Sequence, residues 1–248
     1  MSKVVGLIPS RLASTRLPGK ALADIHGMPV IAHVAIRSKM ASCLDRVIVC
    51  TDSQKIADVC KYYDIESVLT DSSFLNGTER IASVAESIDA DYIVDIQGDE
   101  PLINPDHIDA VSEAIKSSLT VDIVIPTLKV SSSSPRTIVR VQSSLSGRIM
   151  TLTRASLPCP YASPSYFIDK HLSIIGFTKQ ALRVYSTLSP SPNEEVESIE
   201  LLRALENDMR LQALPLDGDS FSVDVQDDLV RARVAMESDP LFAAGYNL

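Results

Sequence analysis

KVVGLIPSRLASTRLPGKAL, residues 3–22, opens with an apolar run at 4–9 and breaks into a loop carrying Arg11, Arg16 and Lys20. An apolar run without alternation reads as a strand covered on both faces, the signature of a parallel sheet under helices. Pro18-Gly19 supplies a rigid turn beside a residue free to take positive φ. Outward from this point the pattern repeats. PVIAHVAIRSKMA (29–41), SQKIADVCKYY (53–63) and GTERIASVAESI (77–88) have helical spacing, and they alternate with strand-like RVIVCT (46–51), ESVLT (66–70) and DYIVDIQ (91–97). Ligands of such sheets sit beyond the carboxyl ends of the strands, so the loops after Pro9, Thr51, Thr70 and Gln97 are expected to face one site.

From about Val121 the runs alternate instead: DIVIPTLKV (122–130), TIVRVQ (137–142) and GRIMTLTR (147–154) read as antiparallel strands, with SSSSP (131–135) as a surface turn. Helical spacing returns in EEVESIELLRALENDMR (194–210) and QDDLVRARVAME (226–237). With no repeat or linker, the chain is expected to be one domain over 1–248. Its parts are a nucleotide-binding half (1–120), a β-rich acceptor and dimer portion (121–190) and a helical closing segment (191–248).

Composition narrows the function. The 248 residues carry 32 acidic against 23 Lys and Arg side chains, for a formal net charge of -9. Such a surface repels nucleic acid and anionic lipid, so any anion site is local. The N-terminal apolar run is too short for a signal core or a membrane span, which points to a cytoplasmic protein. Cys43, Cys50, Cys60 and Cys159 lack metal-ligand spacing and read as buried free thiols.

The cation-rich loop fails as a Walker motif, because Ser14 stands at the first glycine and Ala21 at the hydroxyl position, and GxGxxG is absent. As a whole, however, IPSRLASTRLPGKAL (8–22) resembles the signature of the CMP-sugar-acid synthetases, most closely the 3-deoxy-manno-octulosonate cytidylyltransferases (CMP-KDO synthetases). The resemblance continues in order through VIVCTD (47–52), NGTERIA (76–82), DIQGDEPLI (95–103), DKHLSIIGF (169–177), ESIELLRALEND (197–208) and FSVDVQDDL (221–229). It implies an α/β, Rossmann-like (GT-A-like) three-layer nucleotidyltransferase fold with a mostly parallel sheet and an antiparallel β insertion used for dimerisation. It also implies a homodimer and a magnesium-dependent reaction of CTP with a 2-keto-3-deoxy sugar acid, for lipopolysaccharide or capsule.

Nucleotidyl transfer needs a neutralised triphosphate, an in-line hydroxyl and stabilisation of the leaving pyrophosphate. Arg11, Arg16 and Lys20 are expected at the phosphates, and Ser14, Gly77, Thr78, Arg80, Gln97 and Asp99 are expected to complete the nucleotide site. The resemblance pairs Asp99 with Asp224 as carboxylates for one magnesium ion, giving Asp99, Asp224, Lys20 and Arg11 as the catalytic set. Taken singly, Asp99 suits an acid-proline turn and Asp224 a helix cap; Glu100 reads as part of the turn. On the acceptor side the resemblance implies Gln97, Arg154, His171, Glu197 and Glu200, the last two on one face of a helix.

The acceptor half departs from the family pattern at Thr151, Thr153, Ser173, Ile175, Leu201, Ser222 and Val225. Lost hydroxyl and amide partners alter recognition of a polyhydroxylated sugar. An 8-amino-substituted octulosonate, a nonulosonate or another acidic acceptor is therefore the alternative, as is a non-catalytic nucleotide-binding paralogue.

Overall fold

The computed structural model describes residues 2–14, 16–135 and 137–247. The strands are β1 (Val4–Ser10), β2 (Asp24–Ile25), β3 (Met28–Pro29), β4 (Arg46–Thr51), β5 (Glu66–Leu69), β6 (Tyr92–Ile96), β7 (Ile123–Ser131), β8 (Arg140–Ser143), β9 (Ile149–Thr153), β10 (Phe167–His171), β11 (Ile174–Thr178) and β12 (Leu211–Leu216). The helices are α1 (Val30–Lys39), α2 (Gln54–Tyr62), α3 (Gly77–Ala85), α4 (Pro105–Ser117), α5 (Lys179–Thr187), α6 (Pro192–Glu197), α7 (Leu201–Glu206), α8 (Gln226–Glu237) and α9 (Pro240–Ala243).

One sheet runs β5-β4-β1-β6-β11-β7-β10-β8-β9, with β12 on the other edge of β7. The strands of the nucleotide half, β5-β4-β1-β6, are parallel, and β1 sits between its neighbours with Leu7 opposite both Ile48 and Asp95. At β11 the direction reverses, with Ile175 opposite Asp95. The β-rich portion thus joins the same sheet: β7 and β11 widen it, and β10, β8 and β9 carry it outward.

Alternate side chains of the central strands feed two cores, which explains the near-continuous apolar runs. Val4, Ile8, Val49 and Val94 pack with α1, α4 and α8 on one face; Val5, Leu7, Ile48 and Ile93 pack with α3, α5 and α7 on the other. Three helices, α4, α5 and the short α9, fall outside the elements read from spacing. Helix α4 has an Asn104 cap and Pro105 in its first turn, and α5 is capped by Thr178; both carry local start signals.

The helical segment 194–210 is not one helix. It breaks at Ser198, which takes φ 53° and ψ 51°. The reason lies in Glu194 and Arg203, which lie on opposite faces of an unbroken helix at about 100° per residue. Broken, the segment lets the Arg203 guanidinium meet both Glu194 oxygens at 2.8 and 2.7 Å, reach Glu79 at 2.9 Å and lie over the Tyr185 ring. Arg203 is 1% exposed, and leaving it buried without its carboxylates costs about 3–5 kcal/mol.

At the C-terminus, α8 and the following residues clamp the β2-β3 turn, which lies just after Lys20. Arg233 donates twice to the Asp24 carbonyl, and the buried His33 ring bridges the Ile25 carbonyl and the Tyr246 hydroxyl. Of the cysteines, Cys50 and Cys60 are buried, but Cys43 is half-buried and Cys159 exposed, which corrects the expectation for those two. Burial pushes the Cys50 thiol up to about 12 and Cys60 to about 11, the range of inert thiols.

Candidate active site

A pocket of about 530 Å³ opens where β1 and β6 end, between the loop after β1, the N-terminus of α3 and the broken α6-α7 segment. Its position follows from the parallel order of the sheet. Of the residues expected at the nucleotide, Arg11, Ser14, Arg16, Lys20, Gly77, Arg80, Gln97 and Asp99 line it, together with Asp224 and Glu200. Thr78 stands just behind, where its hydroxyl donates to Glu200 at 2.7 Å.

The centre is an ammonium between two carboxylates. Lys20 Nζ lies 2.6 Å from Asp99 Oδ2 and 3.1 Å from Asp224 Oδ1, and Arg16 reaches the same Asp224 oxygen at 2.9 Å. Burial opposes the charge on Lys20, but Asp99 and then Asp224 outweigh it and hold the ammonium above the ordinary lysine value. Among the described residues Arg11 forms no ion pair and is exposed. Asp99 does sit in the turn after β6, whereas the cap of the α8 entrance falls to Asp228 and not to Asp224, since Asp228 accepts from the Asp224 and Val225 amides.

Two glycines make the floor close. A Cβ on Gly98 would stand 2.9 Å from the Pro9 carbonyl oxygen, so only glycine lets the ends of β1 and β6 approach this far. Gly19, at φ 70°, turns the chain into Lys20.

Arg80 lines the pocket but is committed. It is 3% exposed, pairs with Asp52 at 3.0 Å and donates to Thr70 and to the Asp71 carbonyl. The loop after Thr51 thus acts through Arg80 and is absent from the pocket lining, whereas the loop after Thr70 both holds Arg80 and lines the pocket with Phe74, Leu75 and Asn76. Gln97 is oriented from below, its amide donating to both oxygens of Asp95 at 3.2 Å.

The acceptor residues divide. Glu200 faces the pocket, whereas Arg154, His171 and Glu197 are outside its lining. Glu197 accepts from the Arg154 amide and the Thr153 hydroxyl, both at 2.6 Å, and its carbonyl accepts from Arg154 Nε at 3.0 Å. The break at Ser198 therefore turns Glu197 and Glu200 in different directions, which corrects the shared helical face. His171 is half-buried, its buried Nε2 has no partner among the described residues, and desolvation with Lys170 and Arg154 nearby lowers its pKa to about 4.

Sequence reading missed Glu194, Glu195, Ser198 and Arg203, all in the pocket wall, because the unbroken helix hid their geometry. It also missed Asp95. That side chain is fully buried, and desolvation pushes its carboxyl well above the usual range, with Glu200 adding to the push and Gln97 opposing it. Burial raises Glu200 too, against the hydrogen bonds from Thr78. A carboxylate at the end of an otherwise apolar strand was the available signal.

Comparison with known proteins agrees with this geometry. A family model described as cytidylyltransferase matches residues 5–211. The 3-deoxy-manno-octulosonate cytidylyltransferase of Chloroherpeton thalassium is 34% identical over 245 residues, covering 94% of this chain and 98% of its own. The mitochondrial 3-deoxy-manno-octulosonate cytidylyltransferase of Arabidopsis thaliana is 36% identical, covering 95% and 83%. Among solved structures, CMP:2-keto-3-deoxy-manno-octonic acid synthetase complexed with CTP superposes with a TM-score of 0.91 at 27% identity, covering 95% of this chain and 99% of that one.

The Asp95 environment has a measurable consequence. Above the ordinary aspartate pKa the unfolded chain ionises this group and the folded chain does not, so the wild type loses about 1.4 kcal/mol of stability per pH unit up to the raised folded value. Asp95→Asn removes that dependence. Urea unfolding at pH 4.5 and 7.5 is expected to show the variant gaining on the wild type as pH rises; a constant difference refutes a protonated Asp95.

Proposed function

The chain belongs to the cytidylyltransferase family, and from that premise we propose that it transfers CMP from CTP to the C2 hydroxyl of 3-deoxy-manno-octulosonate, releasing pyrophosphate and supplying an activated sugar acid for surface polysaccharide. The observation that carries this reading is the meeting of Lys20 with Asp99 and Asp224 in a pocket rimmed by the cations of the loop after β1. Positions far apart in sequence converge there on one charge.

In the proposed reaction the acceptor oxygen bonds to the α-phosphorus, the bond to the β-phosphate oxygen breaks, pyrophosphate takes the electron pair and the hydroxyl proton is released. Arg11, without an ion pair among the described residues, and Arg16 bind the triphosphate with forked donors, and Lys20 serves it as a point charge. Backbone groups of residues 9–11 face the cytosine edge. Gln97, fixed by Asp95, and Glu200, fixed by Thr78, orient the acceptor through hydrogen bonds, with Arg154, His171 and Glu197 behind them on the sugar side.

The two carboxylates already share a cation, the Lys20 ammonium, and so fit magnesium. Among the described residues no third His, Cys, Asp or Glu joins them in a metal cluster, which suits an ion that takes its other ligands from phosphate and water. Bound there, magnesium would neutralise the triphosphate and the leaving pyrophosphate. Among the described residues no helix is long and apolar enough to cross a membrane. Edge strand β9 and its surroundings expose Leu145, Met150, Tyr166 and Phe167, which supports a homodimer formed through this side.

Pyrophosphate release with CTP and magnesium is expected with 3-deoxy-manno-octulosonate as acceptor. Trials of its 8-amino analogue and of nonulosonates test the alternative acceptors. CTP binding without turnover on any sugar acid defeats the proposal and indicates a nucleotide-binding paralogue. Asp99→Ala and Asp224→Ala are each expected to lower kcat by on the order of 10²–10³-fold or more, with circular dichroism unchanged; near-normal turnover by either contradicts the shared role. In sedimentation velocity the wild type should run as a dimer and Phe167→Asp as a monomer, and a monomeric wild type removes the dimer from the reading.

A further inference from the structure

We propose that Glu100, Ser220 and Lys170 form a latch that fixes Asp224 opposite Asp99. The inference rests on the nucleotidyl-transfer reading and assigns these three as positioning residues within it.

Asp224 lies on the irregular segment between β12 and α8, where no strand sets its place and α8 holds only its amide, through Asp228. Instead the segment is tethered at successive points. His107 Nε2 lies 2.8 Å from the Asp217 carbonyl, Lys170 Nζ donates to the Ser220 carbonyl at 2.6 Å, and the Ser220 hydroxyl donates to Glu100 Oε2 at 2.5 Å. The Val223 amide then donates to the Asp99 carbonyl at 2.8 Å. Ser220 is therefore gripped by its hydroxyl and by its carbonyl, from two different elements.

Glu100 directly follows Asp99, so the latch joins the two strands of the chain that carry the paired carboxylates. A turn does not require a carboxyl side chain here. Glu100 is 4% exposed, and burying an acid costs free energy unless partners repay it; the Ser220 hydroxyl is one such partner, beside Ser173 and the Lys170 charge. Lys170 extends the connection to β10, beside His171. Asp224 is thus placed by contacts that touch neither nucleotide nor acceptor, and an ångström of drift in such a group costs heavily in a preorganised site.

Binding of Mn²⁺ to the full-length protein in the presence of CTP, read by the electron paramagnetic resonance of free Mn²⁺, tests the latch without turnover. Ser220→Ala is expected to weaken Mn²⁺ binding by about tenfold, the loss of a hydrogen bond to a buried acid. Ser220→Thr, which keeps the hydroxyl, should stay within about twofold of the wild type, and CTP affinity without metal should be unchanged in both. If Ser220→Ala does not fold, Lys170→Met releases the same segment from β10 and should weaken Mn²⁺ in the same direction. Wild-type Mn²⁺ affinity in the folded variants overturns the latch and leaves the nucleotidyl-transfer reading standing. A wild-type chain that binds no Mn²⁺ with CTP overturns both.

Discussion

The geometry of the site depends on one electrostatic constraint: two carboxylates, at positions 99 and 224, cannot converge without a cation between them. Lys20 supplies it, at 2.6 and 3.1 Å. The side chains are each 20–29% exposed, so the ion pairs add little to global stability. Their consequence is positional. They bind the loop after β1, the end of β6 and the entrance of α8 into a single cluster, and the surrounding structure is arranged so that this cluster can form. Gly98 lets β1 and β6 close to contact, Gly19 turns the chain into Lys20, and the C-terminal clamp on the β2-β3 turn fixes the segment that follows.

The nucleotide half of this arrangement was legible in the sequence because its physics is local. Apolar runs at 4–9, 46–51 and 91–97 each fill both faces of a parallel sheet, and each βα loop then falls at the carboxyl edge by topology. The convergence of Asp99 with Asp224 was legible only through resemblance, since no spacing relates residues so far apart. The acceptor half was misread where a long-range pair overruled helical periodicity. Spacing favoured one helix through 194–210, but Glu194 and Arg203 can meet only if it breaks. With that break went the shared face of Glu197 and Glu200, and the pocket wall gained residues that no local pattern marks.

The same break gives the pocket two chemically different sides. One side carries Arg11, Arg16 and Lys20 in a chain that is acidic overall. The opposite wall carries Glu194, Glu195 and Glu200, with Asp95 beneath. Glu194 is neutralised by Arg203, and burial holds Asp95 and Glu200 toward their protonated forms. Protonated carboxyls can donate as well as accept hydrogen bonds. The wall is therefore less negative than its composition suggests.

Charge balance then assigns Lys20 two successive roles. In the protein alone, Lys20 and Arg16 compensate Asp99 and Asp224, and Arg11 is left exposed at the rim as the group that a polyanion meets without breaking an ion pair. Ammonium and guanidinium bound to carboxylates at partly exposed positions are weakly held, so a triphosphate carrying its own divalent ion can exchange with them at little cost. The carboxylates would keep a cation throughout, and the two basic side chains would turn from them to phosphate oxygens. On the proposed reading, a resting structure stabilised in this way would bring Asp99 and Asp224 together before the nucleotide arrives, so binding would have little geometry left to create.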